Sequence, residues 1–109
     1  MEDFFRKITL SKGIGDIWIE LEIDVDKDFK PSEYNFGQIK ISPTYISNTE
    51  ECTWDNLDFF FTASKKDIKD ECKKELEFKN LYIPGIFKTI RELTKEARRL
   101  GLYHEKESK

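Results

Sequence analysis

From Asp16 to Asp26, apolar and polar residues alternate almost without a break. Ile17, Ile19, Leu21, Ile23 and Val25 share one parity, and Asp16, Trp18, Glu20, Glu22, Asp24 and Asp26 the other. Successive side chains of a strand point to opposite faces, so the pattern predicts a strand over 16–25 with an aliphatic inner face and an acidic outer one. Residues on one face stand about 6.8 Å apart, two steps of the strand rise. Glu20, Glu22 and Asp24 then form a row of like charges that repel modestly in water. The row gives the fold nothing. It is a solvated face or a surface kept for something basic.

The elements around it follow by the same reasoning. Residues 4–12 read as a preceding strand, with Phe4, Ile8 and Leu10 on one parity, and Gly13-Ile14-Gly15 supplies a hairpin turn. After a polar connection at 26–33, a third strand is expected at 34–42, stopped by Pro43. Residues 43–56 read as a long loop bearing Tyr45, Ile46 and Trp54, and loops of that length commonly carry function. A fourth strand is expected at 57–63, with Leu57, Phe59 and Phe61 facing inward.

Helices come next. Ser64, with Asp67 after it, suits a helix start, and Ile68, Cys72 and Leu76 recur every fourth residue. Pro84 suits the first turn of a second helix, Ile86, Ile90, Leu93, Ala97 and Leu100 share one face of it, and Gly101 is a natural stop. Strands followed by helices favour the α+β class: an antiparallel sheet of about four strands followed by two helices packed on one face. The domain is expected to span 1–101, with 102–109 as a flexible C-terminal tail.

Composition narrows the classes. The 109 residues make one domain, and their fifteen aromatics argue against disorder. No apolar run approaches the roughly 20 residues that cross a bilayer. The acidic start, Met1-Glu2-Asp3, lacks the basic opening of a signal peptide, so a cytoplasmic protein is expected. Cys52 and Cys72 have no companion pair at zinc-site spacing and read as free, partly buried thiols. The net charge of −3 hides an asymmetry: residues 1–63 hold thirteen acids against six bases, and residues 64–109 nine acids against thirteen bases. Such a division bears on association rather than on fold.

Catalytic chemistry finds little support. Asp24, Asp26 and Asp28 resemble the opening of an EF-hand loop, but its glycine position holds Phe29 and its closing glutamate position Asn35. Gln38-Ile39-Lys40 keeps only the lysine of the acid-x-Lys pair found in metal-dependent nucleases. His104, the single histidine, lies in the expected tail, a poor place to hold a general base. No metal or cofactor is therefore expected, and no enzyme.

The leading expectation is a small acidic binding module or inhibitor, of the kind represented by immunity and anti-defence proteins. It would occlude a basic, nucleic-acid-binding surface of a nuclease, toxin or similar partner by imitating a nucleic acid. Asp16, Trp18, Glu20, Glu22, Asp24 and Asp26 would form the contact surface, with Tyr45 and Trp54 contributed by the loop. An alternative is nucleic-acid binding through Lys88, Arg91, Lys95, Arg98 and Arg99 on the last helix, although Glu92 and Glu96 lie among them. A metal-dependent nuclease-like enzyme is the second alternative.

Overall fold

The computed structural model describes residues 6–26, 28, 35–44 and 50–105. Its elements run β1 (Arg6–Ile14), β2 (Ile17–Val25), β3 (Gly37–Pro43), β4 (Cys52–Trp54), α1 (Leu57–Thr62), α2 (Lys65–Phe78) and α3 (Ile86–Arg99). The four strands form one antiparallel sheet in the order β1-β2-β3-β4, and the helices pack against one of its faces, giving an α+β fold. Helix α3 lies over β1 and β2, α1 lies against β3 and α3, and α2 leans on α3. Among the described residues, no helix is long and apolar enough to cross a membrane.

Strand β2 is the spine of this arrangement. Its five aliphatic side chains, from Ile17 to Val25, are all buried under the helices. Each contributes about 1.5–3 kcal/mol by leaving water. Their register is unambiguous, because a slip of one residue would turn the whole set into solvent and the carboxylates into the core. Ile39 and Ile41 of β3 and Cys52 of β4 continue the same layer.

The hairpin turn sits two residues later than the glycines suggest. β1 continues through Gly13 to Ile14, which pairs with Ile17, and the turn is Gly15-Asp16. Gly13 instead lies opposite Trp18, where even a Cβ would stand 3.3 Å from the indole ring.

The segment expected as a fourth strand is helical. Leu57, Phe59 and Phe61 alternate, but Leu57, Phe60 and Phe61 also fall at i, i+3 and i+4, and these are the three that α1 buries. Asn56 starts the helix by accepting the Phe59 N–H on its side chain at 3.3 Å. The fourth strand is instead the three-residue β4, cut from the expected 43–56 loop.

Helix α2 begins as expected, with the Ser64 hydroxyl accepting the Asp67 N–H at 3.0 Å, and buries Ile68, Cys72 and Leu76. Both long helices end in the same way. The Leu81 N–H reaches the Leu76 carbonyl and the Leu102 N–H the Ala97 carbonyl, with Asn80 and Gly101 in the left-handed conformation between. This turn folds the residue after it back onto the helix.

It also moves the expected start of the tail. Leu102 and Tyr103 are buried, whereas Leu100, expected on the apolar face, is 46% exposed. Tyr103 stacks on Phe61 with ring centroids 4.0 Å apart and donates its hydroxyl to Asp58 at 2.8 Å. The His104 N–H and carbonyl are both taken by the Asn35 side chain, at 2.8 and 2.9 Å. Residues 102–104 are therefore part of the domain.

Candidate functional site

The face of the sheet that carries none of the described helices is where the sequence placed its candidate surface. Trp18, Glu20, Glu22 and Asp24 emerge there from β2, side by side and in that order. The antiparallel ladder also brings their neighbours into place: Lys7 stands opposite Asp24 on β1, and Lys40 opposite Glu20 on β3. Lys7 reaches Asp24 at 3.2 Å and Lys40 reaches Glu20 at 3.8 Å. Glu22, between them, faces Thr9 and Gln38. Cross-strand lysines thus make the carboxylate row tolerable to the fold. Both pairs are half-buried at the carboxylate and keep contact with solvent, which screens them and leaves each worth about 1 kcal/mol or less.

The row has an aromatic at each end. Trp18 is 38% exposed, and its indole N–H donates to Glu20 at 3.0 Å, which fixes the ring over Gly13. Phe36, 52% exposed, stands beside Asp24, whose N–H bonds the Phe36 carbonyl at 2.9 Å. Sequence reasoning missed Phe36, because it falls at the mouth of β3 rather than inside an alternating run. Its parity was the available signal: two residues before Gln38, it shares the outer face of Glu22 and Asp24. A shallow depression beside Phe36 is lined by Lys7, Glu22, Asp24, Gln38 and Asp55.

Not every expected contact residue joins this face. Asp16 sits in the hairpin turn, where its carbonyl accepts the N–H and hydroxyl of Thr44. Asp26 follows the end of β2 and accepts the Asp28 N–H on its carboxylate at 2.8 Å. Trp54 pairs with Ile39 and therefore points to the helix side, where its ring meets Phe60 at 6.1 Å. Tyr45 lies outside the described residues.

Comparison with protein-family models, curated proteins and solved structures finds no match to this chain.

The basic residues of α3 are largely engaged within the fold. Arg91 donates to the Ala63 carbonyl at 3.2 Å, and Arg99 pairs with Glu96. Arg98 binds Glu105 through two nitrogens while its guanidinium lies 5.5 and 5.2 Å from the ring centres of Phe61 and Tyr103. Among the described residues, no three His, Cys, Asp or Glu side chains gather as metal ligands would. Cys52 and Cys72 are buried and unpaired. Burial pushes both thiols up, that of Cys72 to about 12, with nearby carboxylates adding to the effect. A thiol held protonated in this way is a poor nucleophile.

Proposed function

We propose that this chain is a small cytoplasmic protein-binding module, of inhibitor type, whose docking surface is the helix-free face of its sheet. The observation that carries the reading is the order of that face: exposed Trp18, three strand-borne carboxylates, exposed Phe36. Carboxylates on a strand are held in fixed positions by the ladder, so a basic partner meets a preformed row. The aromatics add apolar area at both ends, and Trp anchors are enriched where binding energy concentrates. The partner's chemistry follows from this. It presents lysines or arginines along a line, as the nucleic-acid groove of a nuclease or toxin does, and the module acts by occluding that groove. The proposed role requires no reaction.

The test is capture on the immobilised protein, after nuclease treatment, comparing wild type with a Trp18→Ala, Glu20→Lys, Glu22→Lys triple variant. A basic protein held by wild type at low salt, released at moderate salt and absent from the variant is the expected result. Retention of the same proteins by both would reduce the face to a solvated surface. Among single variants, Trp18→Ala and Phe36→Ala should raise Kd more than either glutamate change, at least about tenfold. The glutamate reversals should chiefly slow association.

A further inference from the structure

Around the edge of β4 from this face lies a second concavity. It is a pocket of about 290 Å³ between β4, α1 and α2. Phe60, 1% exposed, forms its floor, and the half-buried rings of Trp54 and Phe59 stand around it. The Phe59 and Phe60 rings meet edge to face at 5.5 Å. Asp55 and Glu71 complete the rim. The ion pairs and hydrogen bonds of the described residues use neither carboxylate, and no basic side chain lines the pocket.

We infer that this pocket receives one arginine side chain of a basic partner. Its size, at the lower limit of ligand sites, suits a single side chain. Aromatic walls attract a cation, and a planar guanidinium stacks on rings while offering forked donors to carboxylates, which an ammonium does less well. The same arrangement occurs within this protein, where Arg98 lies over Phe61 and Tyr103 and binds Glu105 through two nitrogens. Asp55 borders both this pocket and the depression beside Phe36, so the two form a continuous path. The inference extends the reading of the sheet face as a docking surface for a basic partner. It also returns Trp54 to the contact set, on a different side of the sheet from Trp18.

The experiment titrates the isotopically labelled protein with N-acetyl-arginine amide and follows the two tryptophan indole resonances by NMR. A saturable shift of the Trp54 indole and the amides of 53–60, with the Trp18 indole unmoved, is expected. N-acetyl-citrulline amide, the uncharged isostere, and N-acetyl-lysine amide should bind at least about fivefold more weakly. An Asp55→Asn, Glu71→Gln variant with unchanged melting temperature should bind the arginine probe about tenfold more weakly. Equal binding of citrulline or lysine would overturn the assignment, as would a response confined to Trp18. Because the probe reads the pocket without any partner, its failure leaves the proposal for the sheet face to the capture experiment.

Discussion

Three buried ionisable side chains, Cys52, Cys72 and Tyr103, should make this fold sensitive to alkali, the last two most. Cys72 is fully buried with its thiol raised to about 12, chiefly by burial and then by Glu71. Tyr103 is raised above the ordinary tyrosine range, first by burial and then by its hydrogen bond to Asp58. In the unfolded chain both ionise near their usual values, about 9 and 10, so the unfolded state releases protons first as pH rises. Stability should therefore be full below pH 9 and decline above it. The melting temperature of wild type should fall more between pH 8 and 10.5 than that of Cys72→Ala, each measured against its own value at pH 8. Equal declines would show that the thiol contributes nothing to this dependence. The same burial implies that neither cysteine reacts with iodoacetamide at pH 8 until denaturant is added.

Among the elements, legibility in the sequence followed the length of each pattern. β2 was readable because its nine residues alternate with Trp18 as the one exception, and α3 because its apolar spacing continues over four turns. β4 could not be read from Cys52-Thr53-Trp54, since three residues show no period. α1 was misassigned because Leu57, Phe59, Phe60 and Phe61 satisfy both periods, and only the Asn56 cap distinguishes them. The candidate face was legible where it lies on β2 and missed at Phe36, whose place depends on how β3 pairs. Residues 102–104 were missed because the turn at Gly101 reads as an ending, although it redirects the chain onto Phe61.

Gly37 shows what such junctions demand. It has φ of +149°, and a Cβ there would stand 2.0 Å from the Glu22 carbonyl oxygen and 2.9 Å from Leu57. Gly37→Ala should cost at least about 2 kcal/mol, since both backbone strain and a clash with the neighbouring strand are introduced. Ser64→Ala, which removes only the cap of α2, should cost about 1 kcal/mol. Urea unfolding of the two variants orders them. A milder effect at Gly37 would mean that β3 can shift away from β2.

For the molecule as a whole, the sheet has unequal edges. β4 offers three residues, and Lys79 bonds the Glu51 carbonyl just before it. β1 offers nine, paired among the described residues with β2 alone. Lys12 guards that edge. It shares the helix-side parity of Ile8, Leu10 and Ile14, and is held at 3.0 Å by Glu92 of α3. A charge on the inward face of an edge strand opposes pairing with another chain. Lys12→Val would leave a continuous aliphatic edge, and sedimentation should then show concentration-dependent dimers where wild type stays monomeric. A monomeric variant would place the protection elsewhere along β1.

The seating of Tyr103 on Phe61 also sets a schedule. The hairpin of β1 and β2 leaves the ribosome before the helices and can pair through its two-residue loop ahead of them. Its aliphatic side then has no cover until α3 is made, with Leu102 and Tyr103 after it. Until then the nascent chain carries a greasy, half-built sheet, the kind of surface that invites aggregation and chaperone binding. The last locks come with residues 102–104: a chain ending before them keeps α3 over the hairpin but leaves Phe61 without its stacking partner and Asn35 without the backbone of His104.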